Sequence, residues 1–322
     1  MWAIIFLVVG FILLVKGADY FVEGASSLAT TMRIPAVIIG LTIVAFGTSA
    51  PELAVSLSAA IQGDNAVSLG NIIGSNIFNL LGVVGICAVM KPLDVHMGMI
   101  KKDYPLSILA AVVLLVTILD KFLYSSDNFM LDRGDGIILL LFFTIFMVTI
   151  IAEGLKSRKE NFSSESNYVV IKQKRSTGMN VLILLTSLIA IIIGGKLVVD
   201  GATDIAILMG VSDTLIGLTI VAIGTSLPEL VTSIVATRKG ENDIAVGNVV
   251  GSNIFNIFFI LGISSTIMPI ESNLHLVIDT VILLAVSTFF FIPIIKTKKV
   301  TRLSGILMVI TYVIYTAYII MR

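Results

Sequence analysis

The chain has 322 residues, of which 57% are hydrophobic and only 13% are charged, and its mean hydropathy is +1.06. Soluble domains carry about 25% charged residues, so this composition excludes an ordinary soluble protein and indicates a protein buried in lipid. The formal net charge is zero and the sequence has one cysteine and two histidines, so neither nucleic-acid binding nor a disulfide framework or cysteine or histidine metal cluster is expected.

Apolar runs of about 20 residues follow one another along nearly the whole chain, and each is long enough to cross a bilayer as a helix. The first run starts at Trp2, is too long for a cleaved signal peptide and lacks a basic segment before it, so it is interpreted as a span. The pattern predicts an all-α polytopic membrane protein with ten transmembrane helices. Spans 1 to 10 are predicted at 2–29, 36–62, 66–90, 102–120, 135–153, 178–206, 213–237, 243–267, 274–296 and 302–321.

One long polar stretch, residues 154–177, separates five spans from five. Residues 22–92 align without a gap to 199–269, at a constant offset of 177, so the two halves are an internal repeat. Because each repeat has an odd number of spans, the second must insert upside down relative to the first, as in many secondary transporters. We therefore predict a first five-helix repeat at 1–153, a linker, and a second, inverted five-helix repeat at 178–322.

Two blocks carry the match between the repeats. The stretch GLTIVAFGTSAPELAVS (40–56) is identical to GLTIVAIGTSLPELVTS (217–233) at 13 of 17 positions. The stretch GNIIGSNIFN (70–79) is identical to GNVVGSNIFN (247–256) at 8 of 10 positions. Such similarity at one offset indicates that both halves contribute the same chemistry.

The distribution of Lys and Arg predicts how the chain is oriented. Of 21 such residues, Lys16 and Lys196 lie within spans, Lys121, Arg133 and Arg322 lie on one side, and the remaining sixteen lie on the other. By the positive-inside rule the richer side is cytoplasmic, so the linker is cytoplasmic and both termini are outside. The expected location is the cell (inner) membrane of a prokaryote.

Six charged residues fall within spans 1 and 6, and they are most simply explained as snorkelling to an interface or pairing locally. A role in ion entry is the alternative. These residues are Lys16, Asp19, Glu23, Lys196, Asp200 and Asp204.

Glu52 and Glu229 lie near the middle of spans 2 and 7, where a carboxylate costs roughly 2.5–3.5 kcal/mol even on the mildest scale. A proline stands directly before each glutamate, and a glycine stands four residues before each proline. Because proline lacks an amide donor and clashes with the carbonyl four residues back, each span should be kinked or broken. We expect the break to release carbonyl oxygens at 45–48 and 222–225, which is tolerated at membrane depth only beside a site or cavity.

Helical spacing places further oxygen-bearing residues near each glutamate. A lone buried glutamate is often a structural contact, and serine or asparagine commonly joins helices, but duplication of both blocks argues against these interpretations. If the repeats face each other, the oxygens form a hard-cation site that suits calcium better than zinc, copper or iron. Two carboxylates could be balanced by one divalent ion, or by sodium ions or protons. The grouped residues are Ala45, Thr48, Ser49, Glu52, Asn71, Ser75 and Asn79, and Ala222, Thr225, Ser226, Glu229, Asn248, Ser252 and Asn256.

The paired GTSAPE/GTSLPE and GSNIFN/GSNIFN blocks resemble the α-repeats of the calcium/cation antiporter superfamily, in its sodium/calcium exchanger branch. The resemblance implies exchange of Ca²⁺ for Na⁺ by alternating access, with spans 1 and 6 sliding across the other eight. It also implies that the two glutamates hold calcium while the other ligands complete flanking sodium sites. The implied ligands are Ala45, Thr48, Ser49, Glu52, Ser75 and Asn79, and Ala222, Thr225, Ser226, Glu229, Ser252 and Asn256.

The alternatives weighed are a potassium-dependent exchanger, a proton-coupled exchanger, a cation channel and an intramembrane hydrolase. Potassium-dependent members have Asp where this chain has Asn256, and proton-coupled members have a GNxxE block where this chain has GNIIG and GNVVG. Inverted repeats with broken helices and no re-entrant filter loop favour a carrier over a cation channel. No His or Lys base lies at a suitable membrane depth for an intramembrane hydrolase that used Ser49 or Ser226. We expect a non-enzymatic transporter of small inorganic cations, Ca²⁺ and Na⁺ with H⁺ as a competitor. No organic cofactor, nucleic acid or obligatory protein partner beyond the lipid bilayer is expected.

Overall fold

The computed structural model describes residues 2–62, 65–123, 129–163, 176–210 and 222–321. Within these ranges seven helices are long and apolar enough to cross a membrane, and span 2, taken as one bent span, makes eight. The other two predicted spans are span 4 and span 7, and the beginning of span 7 lies outside the described residues.

The described helices follow the predicted order of spans. Spans 1 to 5 are Trp2–Met32, Ala36–Thr48 with Ala50–Gln62, 65–90, 99–117 and Arg133–Ser163, and a short helix, Asp120–Leu123, follows span 4. Spans 6 to 10 are Thr177–Leu208, Ala222–Thr225 with Leu227–Lys239, Asn242–Ile267, Leu274–Thr297 and Arg302–Met321.

Span 5 is longer than predicted. Its helix ends at Ser163, ten residues after the predicted end at residue 153. Half of the residues in the extra segment, 154–163, are Leu, Lys, Arg or Glu, and none is proline, so the segment favours a helix even where it is polar. Polarity alone therefore placed the start of the linker too early. Residues 164–175 of the predicted linker lie outside the described residues, and span 6 begins at Thr177.

Two short antiparallel ladders add strands to the predicted all-α fold. Strand β1, Leu93–Asp94, pairs with β4, Lys299–Val300, and β2, Phe129–Leu131, pairs with β3, Ile270–Ser272. Each ladder joins a loop of one repeat to a loop of the other. The connections after spans 3 and 9 are thereby tied together, as are those after spans 4 and 8.

Spans 1 and 6 cross each other in antiparallel directions along a line of glycines. A Cβ atom added at Gly10 would lie 2.8 Å from the carbonyl oxygen of Gly194, and one added at Gly201 would lie 2.6 Å from the carbonyl oxygen of Ala3. Small residues allow this close approach of two backbones inside a membrane. Leu14 and Ile191 of this pair belong to an apolar cluster that also contains residues of spans 2, 7 and 8.

Spans 3 and 8 form the centre of the larger cluster. In their most apolar windows 83% and 94% of residues are buried, against 17–33% for the other continuous membrane helices. Both carry the GSNIFN block, so the duplicated asparagines and serines lie at the middle of the protein.

Candidate functional site

Spans 2 and 7 break at equivalent serines, as the prolines predicted. Ser49 (φ −82°, ψ 7°) and Ser226 (φ −92°, ψ 9°) both leave the helical region, and the two halves of span 2 meet at a bend of 47°. Each glutamate therefore lies in the first turn of a new helix, Ala50–Gln62 or Leu227–Lys239, in the interior of the protein.

The bend does not release the Ala45 carbonyl, contrary to the prediction for residues 45–48. The amide of Ser49 still donates to it at 3.0 Å, because the backbone turns at Ser49 itself without losing this helical bond. The Ser252 hydroxyl lies 3.5 Å from the same carbonyl oxygen, so the oxygen still faces the other repeat. In span 7 the backbone amide of Ser226 donates to the carbonyl oxygen of Ile223. The side chain of Ala222 lies outside the described part of the structure.

The two glutamates are held by serines of the opposite repeat. Glu52 and Glu229 are both 0% exposed. The Ser49 hydroxyl donates to Oε1 of Glu229 at 2.9 Å, and the Ser226 hydroxyl donates to Oε1 of Glu52 at 2.9 Å. Hydrogen bonds to a carboxylate are stronger than neutral ones, so each repeat orients the charge of the other.

A second pair of serines bonds the carboxylate of its own repeat. Ser75 donates to Glu52 Oε1 at 3.2 Å, and Ser252 donates to Glu229 Oε1 at 3.4 Å. The hydroxyl oxygens of Ser75 and Ser226 also lie 2.8 Å apart. The structure thus brings the predicted serines and glutamates of both repeats into one cluster.

Four buried oxygens in this cluster have no hydrogen-bond partner among the residues that the structure describes. They belong in equal numbers to the two repeats: Oε2 of Glu52, Oε2 of Glu229, Oδ1 of Asn79 and Oδ1 of Asn256. A buried polar atom without a partner costs about 1–3 kcal/mol, so such atoms at equivalent positions call for a ligand. Carboxylate and amide oxygens are ligands that hard cations prefer.

Asn79 and Asn256 lie in wide π-helical turns, Phe78–Val83 and Phe255–Leu261. Such turns are rare and occur frequently at functional sites. Nothing in the sequence indicated them, since these segments are continuously apolar apart from the asparagines.

The predicted threonines contact asparagines across the repeats. Thr48 donates to Oδ1 of Asn248 at 3.0 Å, and Thr225 donates to Oδ1 of Asn71 at 3.4 Å. The amide of Asn248 in turn donates to Ser233 at 3.1 Å. These contacts place the threonines beside the cluster and tie spans 2 and 7 to spans 8 and 3.

Four residues at the centre were not singled out from the sequence. Asn76 and Asn253 contact each other and the predicted asparagines, while Ser56 and Ser233 accept from Asn71 and Asn248. All four belong to the duplicated blocks and keep the offset of 177. Attention to every duplicated polar residue, and not only to those on one helical face, would have found them.

A cavity of 610 Å³ leads away from the cluster at one end. Its lining includes Thr225 and Pro228 next to the site, and Lys196 and Asp200 of span 6 further out. Two of the charged residues predicted to snorkel or pair therefore line this cavity.

Two polar contacts join the second half of span 1 to residues at and just after the end of span 7. Lys239 lies 2.9 Å from the carboxylate of Asp19, and Ser26 donates to Glu241 at 2.7 Å. The expectation of local pairing is therefore wrong for Asp19, because its partner comes from the other repeat.

The protein family described as "Sodium/calcium exchanger protein" has a model that matches residues 2–152 and 179–321. The chain belongs to this family. The exchanger family accounts for the duplicated blocks, and the resemblance seen in the sequence is confirmed.

The chain is similar to individual antiporters and exchangers over almost its full length. The chain is 33% identical to the sodium/calcium exchanger MaX1 of Methanosarcina acetivorans, over 96% of both chains. It is 38% identical to the putative antiporter CaxA of Alkalimonas amylolytica, over 97% of both chains. A solved structure of the sodium-calcium exchanger NCX_Mj, soaked with Na⁺ and Sr²⁺, superposes with a TM-score of 0.82 at 30% identity over 98% of both chains.

These similarities establish the general class of the protein. It is an integral multi-pass membrane transporter, not an enzyme, with ten helices in two inverted repeats, and it carries small inorganic cations by antiport.

Proposed function

We propose that this exchanger-family protein moves Ca²⁺ in exchange for Na⁺ by alternating access at the central oxygen cluster. The observation that carries the proposal is the set of four partnerless oxygens, two of them carboxylate oxygens, donated equally by the two repeats. Two carboxylates supply the charge to balance one divalent cation, and the surrounding oxygens suit the flexible coordination of calcium.

Exchange follows if one set of ligands serves both ions. The two negative charges can be neutralised by Ca²⁺ or by Na⁺ ions but not by both at once, because buried charges require balance. The proposed ligands are Glu52, Glu229, Thr48, Thr225, Ser49, Ser226, Asn79, Asn256, Ser75, Ser252, Ala45 and Ala222.

The cavity and the Lys239–Asp19 contact support a state in which the site opens toward one side. The cavity extends toward Gln62, at the end of span 2, whereas Lys239 ends the inverted span 7 and lies on the side rich in Lys and Arg. If that side is cytoplasmic, as the positive-inside rule predicts, the protein is open to the outside and closed within. The close glycine contact between spans 1 and 6 supports their movement as one unit against the rest.

Proteoliposomes test the coupling ion directly. Purified protein would be reconstituted in vesicles loaded with Na⁺, and ⁴⁵Ca²⁺ uptake measured with the outward Na⁺ gradient present or collapsed. We expect uptake only with the Na⁺ gradient. Uptake driven by a pH gradient without Na⁺ would replace this proposal with proton coupling.

Charge-neutral variants test the site. Glu52→Gln and Glu229→Gln should each abolish exchange, since each removes one of the two balancing charges. Glu271→Gln is the matched control, because Glu271 is exposed in β3 and lies outside both blocks. Normal exchange by either site variant would contradict the assignment.

A further inference from the structure

Asn76 and Asn253 face each other across the boundary between the repeats. They are 0% and 4% exposed. The side-chain amide of Asn76 donates to the backbone carbonyl of Asn253 at 3.1 Å, and that of Asn253 donates to the backbone carbonyl of Asn76 at 3.3 Å. The two residues thus form a reciprocal pair.

The backbone carbonyls decide which way these two amides point. A carbonyl oxygen accepts hydrogen bonds and cannot donate, so each NH₂ group must face the carbonyl and each Oδ1 must point away from it. The oxygens that point away are both used: Oδ1 of Asn76 accepts from Asn256 at 2.9 Å, and Oδ1 of Asn253 accepts from Asn79 at 3.2 Å.

The orientation is passed on to Asn79 and Asn256. Because their NH₂ groups are taken up by Asn253 and Asn76, their Oδ1 atoms must point the other way, and these are two of the partnerless buried oxygens. In the reverse orientation each would present a positively polarised NH₂ group where a cation requires an oxygen. Four amides are therefore aligned by two backbone carbonyls.

We propose that Asn76 and Asn253 are positioning residues, which hold the amides of Asn256 and Asn79 with oxygen toward the transported cation. The inference rests on the proposed cation site, and neither residue needs to touch the ion. The pairing is crosswise: Asn76 positions Asn256, and Asn253 positions Asn79. If Asn76 and Asn253 only filled space, the effect of replacing either one would not depend on the asparagine that it positions.

A double-substitution cycle separates positioning from packing. Asn76→Ala would be made in the natural chain and in the Asn256→Asp background, where the carboxylate has no NH₂ group to misdirect. Equilibrium ⁴⁵Ca²⁺ binding to purified protein is the measurement, since it also works for variants that do not transport. We expect Asn76→Ala to weaken binding about tenfold or more in the natural chain, and less than about twofold in the Asn256→Asp background.

The second cycle and two controls complete the test. Asn253→Ala should be relieved by Asn79→Asp and not by Asn256→Asp. Asn180→Ala removes another buried asparagine, away from the site in span 6, and should leave Ca²⁺ binding unchanged. Equal losses in all backgrounds would overturn the positioning role alone, whereas failure of the unsubstituted protein to bind Ca²⁺ would overturn the proposed function itself.

Discussion

Ser49 of span 2 donates its hydroxyl to Glu229 of span 7 at 2.9 Å, so the carboxylate of one repeat is oriented by the other. The equivalent bond, from Ser226 to Glu52, has the same length. For each glutamate this hydrogen-bonding serine belongs to the other repeat, so one repeat alone could not form the bond. The central cluster is therefore a property of the interface between the repeats.

The serine hydroxyls should matter equally in the two repeats. Ser49→Ala and Ser226→Ala each remove a hydrogen bond to a buried carboxylate, which is worth roughly 1.5–3 kcal/mol. We expect the KM for ⁴⁵Ca²⁺ uptake to rise roughly tenfold to a hundredfold in both variants. Thr144→Ala, which removes an exposed hydroxyl bonded only within its own helix, is the control. A large effect of one serine and none of the other would contradict the equivalence.

Breaking the Lys239–Asp19 contact should shift the protein away from the state with the open cavity. The pair is partly exposed, with 30% and 45% of the two side chains accessible, so its contribution is about 0–1 kcal/mol. Lys239→Gln should change the ratio of the two access states by up to about fivefold.

Thiol labelling measures that shift. A cysteine introduced as Ser58→Cys in a Cys87→Ala background would line the cavity, and an impermeant maleimide would report its access. We expect Lys239→Gln to slow the labelling. As a control, Lys299→Gln breaks an ion pair with Asp94 in the β1–β4 ladder, which also measures 2.9 Å. This variant should leave the labelling rate unchanged. Identical rates in the Lys239→Gln variant and the parent would show that the contact does not hold the open state.

The glycine contact between spans 1 and 6 should tolerate no added methyl group. In a Gly194→Ala variant the new Cβ would lie 2.7 Å from the amide nitrogen of Leu14 and 2.8 Å from the Gly10 carbonyl oxygen, both rigid backbone atoms. Such overpacking costs about 1–3 kcal/mol, so the Tm in detergent should fall by several degrees. Gly178→Ala, in the same helix with open space around it, should keep or raise the Tm. Equal Tm values would contradict the close contact.

The duplication made most of the central cluster predictable. Glu52 and Glu229 were assigned because a costly carboxylate occurs twice at one offset, and the serines and asparagines followed from the same blocks. Proline chemistry predicted the break beside each glutamate, and it lies at Ser49 and Ser226.

Other features depend on tertiary contacts that helical periodicity does not describe. Periodicity places Ser75 and Asn79 on one face but is silent about Asn76, whose role depends on Asn253 of a different span. The π-helical turns at Asn79 and Asn256 arise in continuously apolar sequence, where nothing local marks a change of helix type. The extension of span 5 was missed because polarity marks the edge of the membrane and not the end of a helix.

The two short ladders give the architecture a further meaning. β1 of the first repeat pairs with β4 of the second, and β2 of the first pairs with β3 of the second, so each repeat lends one strand to the other at both ends. This is the geometry of a two-fold symmetric dimer whose two subunits have been fused into one polypeptide. Two separate five-helix chains inserted in opposite directions would find the same sheet partners and the same serine–carboxylate bonds, which makes a split, co-expressed form of this protein a natural design.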